Sequence, residues 1–131
     1  MKNLNKKLAV IQTELKAKKS SYNSFGKYYF RKAEDILEAV KPFLLREGVS
    51  VRVDEELIHD TPPTIKSTAT ISDGENSIQA TAIVGVDLNQ KGMQTAQQFG
   101  AASSYGKKYA LGNLFSSHFD KNSFCFPSIS M

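Results

Sequence analysis

Leu4, Leu8, Ile11 and Leu15 fall four, three and four residues apart, with polar and basic residues between them. That spacing lays one apolar stripe along an amphipathic helix from Asn3 to about Lys19. Ser20 to Phe30 breaks the rhythm with Ser, Asn and Gly. Ala33, Ile36, Leu37, Val40 and Leu44 restore it as far as Glu47, and Glu34 and Asp35 occupy the first turn, where the helix dipole favours acids. Pro42 inside this pattern predicts a kink or an irregular turn. Gly48 predicts the C-terminal stop.

The period then changes from about 3.6 to about 2. Val49, Val51 and Val53 alternate with Ser50, Arg52 and Asp54, and Ile65, Ser67, Ala69 and Ile71 alternate with Thr64, Lys66, Thr68 and Thr70. Ile78, Ala80, Ala82, Val84, Val86 and Leu88 share one face of a third run, Ser77 to Leu88. Thr61-Pro62-Pro63 and Asp73-Gly74-Glu75-Asn76 supply the turns, the second with a strong hairpin signal. From Gly92 to Phe115 the chain reads as one helix, with Ala96, Gly100, Ser103 and Gly106 on one face at spacings of four, three and three. A glycine inside a helix costs about 1 kcal/mol relative to Ala, so Gly100 and Gly106 predict close approach of another backbone. The predicted class is α+β: N-terminal helices, a three-stranded antiparallel β-sheet with one face buried against the helices, and a long C-terminal helix.

With 131 residues the chain supports one domain with a real core, not two. Its 40% apolar and 23% charged content is that of a soluble globular protein. No apolar run approaches the roughly 20 residues that cross a bilayer, and the N-terminus lacks the apolar core of a signal peptide, so no membrane partner is expected. The single Cys125 excludes an internal disulfide and suits a reducing, cytoplasmic location. Charge changes the picture more. The net +4 conceals a polarised chain: residues 1–32 carry nine cations against one acid, whereas residues 33–60 carry three cations against eight acids. A basic segment of this kind suits a polyanion, and the alternative is a solvated helix face.

No catalytic constellation emerges. His59 beside Asp60 lacks a Ser or Cys elbow, and His118 lies in the aperiodic stretch that follows Phe115. Asp54, Glu55 and Glu56 have no His or Cys at ligand spacing and read as a solvated strand end. The phosphate-binding Gly-Xaa4-Gly-Lys-Ser/Thr pattern is absent. Neither a cofactor nor a metal is expected, and an enzyme is not the reading. Single-stranded nucleic acid, by contrast, needs cations for phosphates and flat side chains for bases. Tyr22, Tyr28, Tyr29, Lys27, Arg31 and Lys32 offer both in one short segment, and Tyr105, Lys107 and Lys108 offer both again. Phe25 and Phe30 suit the core, and Tyr28 suits stacking or packing equally. Lys107 and Lys108 point about 100° apart, so at least one should face solvent or DNA. Tyr109, Leu111 and Leu114 read as core. Arg52 and Lys66 lie on polar strand faces, where they would line a common groove or simply serve solubility. Gln97 and Gln98 suit either a helix surface or subunit contacts.

Gln97-Gln98, Gly100-Ala101-Ala102, Ser104-Tyr105, Lys107-Lys108-Tyr109-Ala110-Leu111 and Leu114-Phe115 resemble the signature helix of the Erf (essential recombination function) family of phage single-strand annealing proteins. Phe25-Gly26-Lys27-Tyr28-Tyr29-Phe30 and Ala33–Lys41 extend the resemblance upstream, in the family's order, across roughly residues 3–115. It implies an annealing domain over residues 1–115, and the β-β-β-α order also resembles the core of the eukaryotic ring-forming annealing protein of double-strand-break repair. The implied activity is ATP-independent binding and annealing of single-stranded DNA in phage or prophage recombination. The implied assembly is a homo-oligomeric ring or filament joined through sheet edges and small-residue helix faces. A phage exonuclease or a host single-strand-binding protein would be further partners. Carried over onto this chain, Lys107 and Lys108 are the foremost DNA contacts, with the segment from Lys27 to Lys32 next. Residues 116–131, Ser- and Phe-rich, depart from the family's acidic linker. A second reading is therefore a protein-interaction module, such as a trigger or inhibitor of a host defence system, that keeps the annealing fold without annealing.

Overall fold

The computed structural model of the chain describes residues 2–15, 21–24, 26–89, 92 and 94–115. The expectations for Lys16–Lys19, Phe25, His118, Cys125 and residues 116–131 lie outside the described residues, as do the side chains of Tyr28, Tyr29 and Phe30. The element order is α1 (Lys2–Glu14), β1 (Ser21–Asn23), β2 (Tyr28–Phe30), α2 (Ala33–Glu47), β3 (Ser50–Asp60), β4 (Pro63–Ser72), β5 (Ser77–Gly85) and α3 (Thr95–Leu114). The α+β class, the three antiparallel strands and the C-terminal helix are as the periodicities predict.

Each helix forms for local reasons visible in its ends. The backbone N–H of Lys32 donates to the Asp35 carboxylate at 2.8 Å, closing the first turn of α2. Gly48 ends it in the left-handed region, φ +68°, with its N–H on the Leu44 carbonyl. The helix runs unbroken through Pro42, against the expected irregular turn. Pro42 and Glu38 are both exposed, so water reaches the carbonyl that loses its partner at the proline. In α3 the backbone N–H of Gln94 donates to Gln97 Oε1 at 3.0 Å. Gln98, buried, donates from Nε2 to the Leu88 carbonyl at 3.1 Å. The adjacent glutamines thus fasten the start of the helix.

The sheet order is β3-β4-β5, antiparallel throughout. The register pairs Val51 with Ile71, Val53 with Ala69 and Glu55 with Ser67 across β3 and β4, and Ser67 with Ala82 across β4 and β5. These residues form the helix-facing side. Asp73 holds the β4–β5 turn, its carboxylate accepting the N–H groups of Asn76 at 2.8 Å and Glu75 at 2.9 Å. Those two bonds keep its pKa below the usual carboxylate range.

Leu4, Leu8, Ile11 and Leu15 pack with Ala33, Ile36 and Val40 of α2, Ala69 and Ile71 of β4, and Ala110, Leu111, Leu114 and Phe115 of the last turns of α3. Burying each large aliphatic side chain contributes about 1.5–3 kcal/mol. A smaller cluster of Ile65, Val84, Val86 and Ala102, flanked by Phe99 and Tyr105, sits under the first half of α3.

Two features were not legible as elements. The break from Ser20 to Phe30 contains a short hairpin, Tyr22 opposite Tyr29, turned by Asn23 Oδ1 accepting the Gly26 N–H at 3.0 Å. Lys27 takes a left-handed φ of +55° in that turn. The acidic triplet is not a strand end, because β3 continues through it to Asp60.

Candidate nucleic-acid interface

Gly106 sets the geometry of α3. A Cβ built there would collide with Ser67 Oγ and lie 3.4 Å from Ser67 Cβ, so with Ser67 opposite it glycine lets the helix descend onto β4. Among the described residues Gly100 meets nothing within 4 Å. The expected close approach therefore belongs to Gly106 alone, and Ala96 and Gly100 are exposed.

That descent brings Glu55, one strand over from Ser67, within reach of the helix. Its Oε1 accepts from Ser103 Oγ at 2.9 Å and lies 3.5 Å from Lys107 Nζ. Ser103 and Lys107 are one turn apart, so a single carboxylate clasps both. Lys107 keeps 39% of its side chain exposed, and Glu55 34%. Beside the clasp, Glu55, Glu56, Leu57, Ile65, Phe99, Gly100 and Ser103 line an open cleft of about 330 Å³. One helix is about 10–12 Å wide and three strands span about 14 Å. α3 lies over β4 and β5, which leaves this trough along β3.

The residues singled out from sequence do not gather in one groove. Lys107 is half-exposed and ion-paired; Lys108, its neighbour, is buried at 5% exposure with Nζ 5.7 Å from the centroid of the Tyr109 ring. Tyr105 stacks on Tyr109, ring centroids 6.4 Å apart and planes 11° from parallel, and packs against the smaller cluster. Arg31 is buried at 5% exposure, whereas Lys27 and Lys32 are exposed at the hairpin turn and at the start of α2. Tyr28 lies on β2. Arg52 and Lys66 do share the outer sheet face, but Arg52 pairs with Asp54 at 3.1 Å and Lys66 stands opposite Glu56. Two cations alternate with two acids there, which makes a neutral surface, not a basic groove.

Sequence reasoning missed Glu55 and Ser103. The signal was present: in a strand extended through the acidic triplet, Glu55 shares its face with Val51 and Val53, opposite to Asp54 and Glu56. Among the described residues no three His, Cys, Asp or Glu side chains are placed to hold a metal ion, and no helix is long and apolar enough to cross a membrane.

Comparison with known proteins agrees with the motifs of the signature helix. The essential recombination function protein of Salmonella phage P22 is 52% identical over 109 residues, covering 83% of this chain and 53% of that protein. The chain thus spans about half the length of this curated relative. No solved structure matches it. The sequence model of the ERF superfamily matches residues 4–121, nearly the whole chain, and the chain belongs to that superfamily.

Proposed function

We propose that this chain is an ATP-independent single-stranded DNA-binding and strand-annealing protein acting in phage or prophage recombination. The match to the ERF superfamily over residues 4–121 carries the reading, and the name of the P22 relative supports its recombination role. Copies assemble side by side into a ring or filament in the host cytoplasm. Cations hold one strand by its phosphates, its bases stay exposed, and a complementary strand pairs with them. A phage exonuclease or a host single-strand-binding protein would supply or hand over the strand.

Among the sequence candidates, Lys107, Lys27, Lys32 and Arg52 have the exposure that phosphate binding needs, and Arg52 is paired with Asp54 on the neutral outer sheet face. Reversing Lys107 and Lys108 together is a poor test, because a buried Lys108→Glu would unfold the helix end before it reported on DNA. The informative variant is Lys27→Gln/Lys32→Gln/Lys107→Gln. Annealing of complementary labelled oligonucleotides without ATP should be accelerated by the wild type and should fade as salt rises. The triple variant should flatten the plot of log affinity against log salt by about two, at about 0.7 for each phosphate that is no longer neutralised. A folded wild type that accelerates nothing would favour the interaction-module reading. The burial of Arg31 and Lys108, which removes two cations from the surface, already lends that reading some support.

A further inference from the structure

The two edges of the main sheet are finished differently. The Asp73 N–H bonds the Asn76 carbonyl at 3.1 Å, closing the β4–β5 turn as a hydrogen-bonded pair. Hydrogen-bonded and non-hydrogen-bonded pairs alternate from there. Thr81, opposite Thr68, falls in a pair of the second kind, so its carbonyl points out of the β5 edge. Asn113 Nδ2 donates to that carbonyl at 2.9 Å. α3 thus occupies one main-chain carbonyl in the middle of the β5 edge. The same alternation, carried across β4, turns the main-chain groups of Val51, Val53, Glu55 and Leu57 outward from β3. Among the described residues no strand pairs with this edge. Leu57 is 52% exposed on it, and the cleft opens alongside.

The hairpin β1–β2 has the complementary deficiency. Its strands are three residues each and pair with no third strand among the described residues, and a hairpin alone is marginal in water. Charge matches the two. Ser21–Lys32 holds the exposed Lys27 and Lys32, the buried Arg31 and no acid, whereas Ser50–Asp60 holds Asp54, Glu55, Glu56 and Asp60 against Arg52, with Lys107 and Lys66 beside Glu55 and Glu56. Pairing of β3 with β3 of a second copy would set acids against acids, and β5 already has its central carbonyl bonded to α3.

We infer that the β1–β2 hairpin of one copy adds as extra strands to the open β3 edge of the next. The inference rests on the assembly part of the proposed function. Such strand addition takes its affinity from main-chain bonds and its specificity from side chains. The contact is head-to-tail, so it closes a ring or runs on as a filament. It also brings the strand flanked by Lys27 and Lys32 of one copy to the edge where Lys107 of the next lies against Glu55. Cations that a single chain keeps on separate elements then form one site across two copies.

The test is the mass of the 131-residue chain in solution, by light scattering, with no nucleic acid present. Wild type should exceed the 14.5 kDa protomer. Glu56→Lys/Asp60→Lys and Lys27→Glu/Lys32→Glu should each fall to the protomer while keeping a folded circular dichroism spectrum. Mixed in equal amounts they should assemble again, because each supplies the charge that the other now needs. The milder Glu56→Gln/Asp60→Asn serves if a reversal unfolds the chain, and should weaken assembly about tenfold. A monomeric wild type would overturn the inference, as would undiminished assembly in the variants or folded reversals that do not rescue each other. Assembly with charge rescue but no annealing would sink the annealing reading and leave this joint standing.

Discussion

The two halves of α3 share one sequence motif and do different work. The half from Tyr105 to Leu114 is pressed onto β4 at Gly106 and buries Lys108, Ala110, Leu111, Gly112 and Leu114. The half from Thr95 to Ser104 buries only Gln98 and Ala102 and stands off the β3 side, leaving the cleft. Two glycines at the same helical spacing therefore have opposite reasons to exist, one filling a place where a methyl group cannot fit and the other facing open space. Spacing identifies a shared face; only the opposing surface says what that face is for.

The largest effect expected from this contrast is at Leu111, fully buried where α3 meets α1 and α2. Leu111→Ala should cost about 2–5 kcal/mol in urea unfolding, and a loss well under that range would mean that the second half is not the anchored one. Gly106→Ala comes next, at about 1–3 kcal/mol from overpacking. Its partner makes the comparison sharper. Among the described residues Ser67 Oγ is buried without a hydrogen-bond partner, so Ser67→Ala alone should change little. Combined with Gly106→Ala it removes the colliding atom, and the double variant should recover wild-type stability or better. Simple additivity in that cycle would refute the assigned contact. The smallest change is at Gly100, where Gly100→Ala should raise stability by about 0.5–1 kcal/mol through lower chain entropy. A destabilised Gly100→Ala would show that the first half, too, lies against something.

Sequence periodicity captured the elements whose burial follows one stripe or one face. Leu4, Leu8, Ile11 and Leu15 are all buried, and the alternation of β4 appears in Ile65, Ser67, Ala69 and Ile71. The hairpin escaped because strands of three residues are too short to show a period. Its cue was Asn23 followed by Gly26, a side-chain-closed turn between aromatic runs. The candidate site was less legible. The end of α3 is covered by the sheet on one side and by α1 and α2 on another, so burial there exceeds a single stripe and reaches Lys108. Nor does spacing reveal that Glu55 would meet Lys107, 52 positions away, because that depends on how far Gly106 lets the helix sink.

The contact between Gln12 Nε2 and the carbonyl of Leu114, at 2.9 Å, ties the first helix to the last across 102 residues of chain. The apolar stripe of α1 likewise finds Ala110, Leu111 and Phe115. A nascent chain emerging from the ribosome thus presents α1 long before Ala110, Leu111 and Phe115 exist, and the core cannot close until α3 has been made. Until then the Leu4–Leu15 stripe has only α2 to cover it, and it lies on a segment with nine cations against one acid, whose like charges keep neighbouring nascent chains apart.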